Sequence, residues 1–512
     1  MAFCLALWPV AAWSQQRGTE PIHDRSDTGT TAAARTADHG VYAGRDAGDS
    51  ATGDEPTSDT PPSPEPAAAA PRGPKYLNLR YDEDFSYLDG PAGSYAADLF
   101  DPIKNIHVDD DWRLSIGGEF RVRMESSTNI GFGANRRTND TFETYRYLVH
   151  FDFRYRDTLR IFLQGIEAHD EQRDLPFRAI DENRWDVQQA FVDVKVLGAA
   201  SPVTLRVGRQ ELQYGNERFV SPLDWASTRR RFDAVKLFAK GDPWDVAMWY
   251  AKPVVVERRE GDDWDRNVDF YGLYTTYTGI PRHGVDAYFF AIDDKGNRRN
   301  PNGRRGDRSI FTLGTRFWGK TGAWDYETEL AGQWGRWAGD TVQAWSVAID
   351  AGRTFAACPW RPRVGAGFDY ASGDDRSGNG KVGTFDQLFP LGHKYFGFLD
   401  LVARENIIAA NVNVTVWPIP NKVQGRIAYH SFWLDAPDDA LYNAAGKPTR
   451  RDPLGRSGAQ VGQELDVTLK WKLDRHAALL LGWSHLFADN FIAHTGPSKD
   501  ADLFYVQYGF KF

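Results

Sequence analysis

From residue 112 onward, apolar and polar residues alternate along most of the chain with a period of two, the pattern of half-buried β-strands rather than helices. In 112–125, Trp112, Leu114, Ile116, Phe120, Val122 and Met124 fall on one side, while Arg113, Ser115, Glu119, Arg121, Arg123 and Glu125 fall on the other. The stretch 144–156 repeats this, with Tyr145, Tyr147, Val149, Phe151, Phe153 and Tyr155 opposed to Arg146, His150, Asp152, Arg154 and Arg156. Eighteen such segments start near residues 112, 141, 158, 184, 202, 230, 243, 266, 284, 308, 322, 340, 361, 404, 421, 461, 476 and 500. The connections between them alternate in length. Those at RDT, GAAS, KGDP, GIPRH, GKTG, AACPW, PIPN and LDRH are short, whereas 126–140, 169–183, 214–229, 293–307, 372–403 and 435–460 are long and polar. The pattern predicts an all-β fold over 112–512: a transmembrane antiparallel β-barrel of about 18 strands, with short periplasmic turns and long extracellular loops. The sheet must close, because an edge in lipid would leave backbone groups without partners. At this strand number the lumen is wide enough to hold water or folded-in loops.

Composition becomes intelligible once the alternation is seen. The 512 residues are 41% hydrophobic and 14% aromatic, with a formal net charge of −9 and a mean hydropathy of −0.53. No apolar run reaches the 18 residues of a membrane helix, and the acidic balance argues against a nucleic-acid partner. A strand facing lipid needs apolar side chains only at every second position, so mean hydropathy stays low while aromatics supply the outer face. The last segment, 501–512, ends with Phe504, Val506, Tyr508, Phe510 and Phe512 in one parity. It resembles the C-terminal strand that outer-membrane proteins present to the barrel assembly machinery. An outer-membrane location in a Gram-negative bacterium follows, with membrane lipid as a partner.

Ahead of the barrel, residues 1–15 form a short apolar run ending in small residues, read as a signal peptide without the usual basic leading segment. Cleavage removes Cys4 and leaves Cys358 alone, so no intramolecular disulfide is expected. Residues 16–74, rich in Ala, Thr, Asp, Gly and Pro, read as a disordered low-complexity segment. Residues 75–111 read as an N-terminal periplasmic or plug-like segment.

Sorting the strands by parity places Arg113, Arg121, Arg123, Arg146, Arg154, Arg156, Arg206, Arg316 and Arg426 on the inward side, beside acids such as Glu119, Asp152, Asp193, Glu327 and Asp369. A basic excess on the inner wall is expected, and rings of charge set selectivity in pores. The rigid fork of arginine suits carboxylates and phosphates. Such arginines also brace neighbouring strands. Arg209 continues the outward parity of Val203, Leu205 and Val207, so it joins the pore lining only through a bulge or a position above the membrane.

No catalytic constellation is legible: the 11 His are scattered, and HExxH, paired Cys ligands and GxSxG are all missing. The chain is not expected to be an enzyme, and no cofactor or metal is implied. The loop 372–383 is rich in acids and glycine, but it lacks EF-hand spacing and reads as an extracellular loop rather than a Ca²⁺ site. The adjoining 385–397 is too apolar to lie exposed and is expected to fold into the barrel mouth.

Several blocks resemble the alginate-export family of outer-membrane proteins: AFVDVKVL (190–197), LRVGRQELQYGNERFVSPLDW (205–225), GAGFDYASGDD (365–375), GTFDQLFPLGHKYFGFLDLVARENI (383–407), IAYHSFW (427–433) and VGQELDV (461–467). YLNLRYDEDFSYL (76–88), DPIKNI (101–106) and SIGGEFRVRME (115–125) extend the resemblance to roughly 75–512. It implies an eighteen-stranded barrel with an arginine-rich pore passing a uronic-acid polymer outward, and it gives most weight to Asp193, Arg206 and Arg404, which lie in matched blocks. The segment AALLLGWSHLF (477–487) and the stretch after GAGF carry no arginine where the family resemblance leads one to expect a basic residue. The expected function is a channel for an anionic oligosaccharide or small anion, with possible periplasmic export partners. A porin for uptake of small nutrients is the alternative, and a secreted β-rich polysaccharide-binding protein or lyase a more distant one.

Overall fold

A strand carrying Phe120, Val122 and Met124 on one side and Glu119, Arg121, Arg123 and Glu125 on the other can bury only one set in protein. In this computed structural model, which describes residues 75–91, 93–134 and 138–512, it buries the charged one. Arg121 and Arg146 are 3% and 1% exposed, while the mid-strand apolar residues Val412 and Ile427 are 59% and 53% exposed. Such an inside-out arrangement is stable only where the outer solvent is lipid. It removes the secreted protein from consideration.

The strands, in chain order, are β1 (Trp112–Thr128), β2 (Asp140–Tyr155), β3 (Leu159–Glu171), β4 (Asn183–Lys195), β5 (Val203–Gln210), β6 (Phe232–Ala239), β7 (Trp244–Val255), β8 (Val268–Ile280), β9 (His283–Arg299), β10 (Arg305–Thr321), β11 (Trp324–Trp337), β12 (Asp340–Thr354), β13 (Arg363–Ala371), β14 (Ile407–Ile419), β15 (Val423–Trp433), β16 (Gln460–Lys472), β17 (Ala477–Ala488) and β18 (Ala501–Lys511). Each pairs antiparallel with the next. β1 also pairs with β18, from Glu119 opposite Lys511 to Thr128 opposite Asp502, so the eighteen-stranded sheet is closed.

The long-loop end departs from expectation in two places. Instead of a loop over 293–307, β9 and β10 continue as a paired ribbon to a five-residue connection at 300–304, and β11 joins β12 through Ala338 and Gly339 alone. Asp294 braces that ribbon by accepting from the Gly296 amide and from Arg298 and Arg308. A strand needs only about 9–11 residues to cross the hydrocarbon, so these longer strands project beyond it. In the other direction, β14 begins at Ile407, which leaves Arg404 in a loop.

Two connections, 211–231 and 372–406, fold into the lumen. Phe389 packs against the wall residues Phe232 and Phe270, at ring-centroid distances of 5.2 and 4.9 Å. Tyr395 donates its hydroxyl to the Asn216 carbonyl. Segment 385–397 therefore enters the barrel, as its apolar character predicts. At the short-turn end, Arg80 donates to the carbonyls of Gly118 (2.8 Å) and Phe512 (2.7 Å) while paired with Glu83. Tyr81 packs edge-on against the stacked wall rings of Phe162 and Phe191, and Lys104, whose ammonium burial lowers to about 8, donates to the Ile116 carbonyl. The signal peptide expected at 1–15 and the low-complexity stretch 16–74 lie outside the described residues.

An arginine placed mid-strand on the lipid face tests the inside-out arrangement. Val412→Arg is expected to destabilise the barrel by about 2–4 kcal/mol in denaturant unfolding from lipid vesicles, and unchanged stability would show that Val412 does not face hydrocarbon.

Candidate functional site

Wall arginines and loop arginines meet in the lumen in three groups. In the first, Arg121 on β1 stands directly across from Arg146 on β2. Two like charges side by side repel, so they need acceptors. Arg146 is bound to Glu119 (2.5 Å) and to the Asp224 carboxylate (2.8 Å), whereas Arg121 directs its hydrogen bonds to the carbonyls of Asp224, Trp225 and Ala226. Arg123 donates to Glu125 and to the Trp225 carbonyl, and its guanidinium lies 3.5 Å from the centroid of the Trp225 ring. Arg229 secures the loop from behind through Glu211 (2.5 Å) and Asp224. Although burial opposes it, Arg229 and Arg146 hold the Asp224 carboxyl well below its usual range.

The second group lies toward the short-turn end. Arg206 on β5 forms a bidentate pair with Asp193 on β4, at 2.7 and 2.8 Å. Its guanidinium sits 3.8 Å from the Phe191 ring and 4.3 Å from the Tyr81 ring, a stacked arrangement that Lys could not reproduce. Asp152 binds Arg160 (2.6 Å) and Arg154 (2.9 Å).

The third group joins the opposite wall to both loops. Arg316 binds Asp286 (2.7 Å) and Glu327; Arg218, from loop 211–231, binds Glu327 and Glu329 (3.0 Å). Arg404 binds Asp369 at 2.7 Å, with its guanidinium near the rings of Phe396 and Tyr395. Between the loops, burial pushes the Glu217 carboxyl up and the Lys394 ammonium down, across a separation of 3.7 Å.

Arg121, Arg123, Arg146, Arg154, Asp193, Arg206, Arg316 and Arg426 thus face the interior, and Arg404 reaches it from the loop. Arg209 does not. It keeps the outward parity of Val207 and lies across from Asp233 on β6, which it binds at 2.9 Å while donating to the Asp262 carbonyl. No bulge separates Arg209 from Arg206 in their pairing with β4, so nothing turns it inward. Arg156 falls in the β2–β3 turn, exposed and paired with Asp111, and Arg113 pairs with Asp89 at the mouth.

Burial separates the acids from the bases. Among the described residues, 24 Asp and Glu are buried against 12 Arg and Lys. The short carboxylates stay at the wall, and cations with longer side chains, among them Arg316, Arg363 and Arg426, reach space where they remain partly exposed. Sequence reasoning also missed Arg218 and the run Arg229, Arg230 and Arg231. Their signal was Leu212, Phe219, Val220, Leu223 and Trp225 around them, too apolar a set for an exposed loop. No group of three or more His, Cys, Asp or Glu among the described residues is disposed to hold a metal ion.

Because the second loop packs on the first, deleting 374–397 is expected to raise single-channel conductance in planar bilayers; unchanged conductance would mean that this segment does not obstruct the lumen.

Comparison with known proteins places this architecture. The structure resembles Acinetobacter baumannii OccAB2 (TM-score 0.53, 11% identity, 78% of this chain and 98% of that one). It resembles Pseudomonas aeruginosa OpdK solved with vanillate to the same degree, and P. aeruginosa OccD3 (OpdP) at TM-score 0.52, 10% identity, covering 78% and 91%. These likenesses establish the barrel fold. No curated protein sequence matches. A family profile described as "Alginate export" matches residues 112–506, the barrel from β1 into β18. This outer-membrane channel belongs to the alginate-export family.

Proposed function

We propose that the channel passes anionic or carbohydrate-like solutes, with lumen guanidinium groups supplying the attraction. The observation that carries this reading is Arg426 on β15. It faces the lumen, half-buried, and makes no ion pair or hydrogen bond with another described residue. The neighbouring acid Asp466 is engaged by His430 and Ser484. Lys470 follows on β16, across from Gln424 and one inward step nearer the short turns. Asn411, Asn413 and Thr415 on the adjoining β14 offer amide and hydroxyl groups of the kind that bind sugar hydroxyls.

The first arginine group supports the same reading. Arg121, Arg123 and Arg146 hold three consecutive main-chain oxygens, and the loop carrying them occupies the place that an oxygen-rich solute takes when the loop yields. Uptake of small nutrients is the second reading, favoured by the two loops in the lumen, since a thin solute displaces them less than a polymer does; OpdK was solved with vanillate. In either reading residues 75–111 cover the short-turn mouth as a plug-like segment, where periplasmic export partners would dock. The barrel assembly machinery engages the strand ending at Phe512.

Planar-bilayer reversal potentials test the proposal. The wild type is expected to be anion-selective and blocked by uronate oligomers, and Arg426→Gln, which breaks no ion pair, to shift the reversal potential toward cations and weaken the block. Cation selectivity with no block by any acidic sugar would overturn it.

A further inference from the structure

Across the outer face of β10, β11 and β12, at the end away from the short turns, lies a groove of about 480 Å³, within the ~300–1,000 Å³ range of small-ligand sites. Its rows are set by strand register. Ser309, Arg336 and Thr341 stand side by side, and Phe311, Trp334 and Gln343 form the next outward row toward the membrane. Gly335 forms the floor. Its φ is +146°, and a Cβ there would lie 2.0 Å from the Ser309 carbonyl oxygen, so only glycine permits this approach. Further toward the membrane, a Cβ at Gly332 would meet nothing within 4 Å, leaving a gap between Leu313 and Trp345, which are 57% and 51% exposed.

The groove's depth in the membrane follows from β11 itself. Trp324 and Trp334 are both outward and exposed, and the nine residues between them match the about 9–11 that cross the hydrocarbon. The two indoles therefore mark the aromatic girdles. Arg336, one outward step beyond Trp334, stands at headgroup level in the outer leaflet.

Charge completes the pattern. Lys381 lies in parallel register beside Thr341, two strand spacings from Arg336, or about 10 Å. Both cations are exposed, and neither side chain makes an ion pair or hydrogen bond with another described residue. The outward acid across from Ser309 is Asp293, which accepts the Ser309 hydroxyl. Two cations above an aromatic trough complement an amphiphile with two anionic groups on its head and acyl chains below. We propose that this groove binds a diphosphorylated glycolipid of the outer leaflet, with its phosphates at Arg336 and Lys381 and an acyl chain along Phe311, Trp334 and Gly332.

The test is titration of the detergent-purified full chain with lipid A, read by native mass spectrometry. The wild type is expected to retain lipid A and Arg336→Gln/Lys381→Gln to bind it roughly thirtyfold more weakly. Trp334→Ala is expected to weaken binding, and Arg353→Gln, at the other end of β12, to leave it unchanged. Monophosphorylated lipid A should bind less well, and inorganic phosphate should not displace the lipid. Equal retention by wild type and double variant would overturn the proposal, as would displacement by inorganic phosphate or a dimer, cross-linked through Gln343→Cys, that excludes lipid. Heat-modifiable migration reports folding of each variant; should the double variant not fold, Lys381→Gln alone, outside the barrel strands, decides the comparison.

Discussion

In hydrocarbon every backbone N–H and C=O must find its partner within the protein, and the rest of this structure depends on that constraint. It requires the seam between β1 and β18, because an open sheet would expose a full edge to lipid. Closure then forces alternation to mean inside and outside. With eighteen strands the inside is wide, and a wide lumen raises the question of what fills it.

Part of the answer here is chain. Loops 211–231 and 372–406 bring their own aromatics and arginines, and the wall meets them with carboxylates and rings. The arrangement follows from the cost of burying charge: an isolated guanidinium inside protein is expensive, and each buried one among the described residues has carboxylate, carbonyl or aromatic partners. Arg218 bridges Glu327 and Glu329; Arg230, within the same loop, donates to the Phe389 carbonyl of the other. These contacts tie the first loop to the wall and to the second loop.

Much of the barrel was legible in the sequence. Parity alone separates Phe120, Val122 and Met124 from Arg121 and Arg123, because lipid and lumen reward opposite side chains at a repeat of two. The same logic assigns Arg209 outward, against the weight its matched block lends it as a pore residue. Loops carry no such repeat. Nothing periodic in 211–231 states which way the segment turns, and only its apolar residues hinted that it does not lie in solvent.

What the sequence by itself determined is therefore the barrel: strand number, short and long ends, and the facing of each strand residue, all consequences of a local period meeting two different solvents. What only the tertiary structure decided is which charges meet. Arg121 beside Arg146, Arg206 between Phe191 and Tyr81, and the pairing of Arg218 with Glu327 join residues separated by tens to hundreds of positions. Ion pairs and stacking act at a few ångströms, and that proximity arises only when the closed wall and the inserted loops occupy the same space.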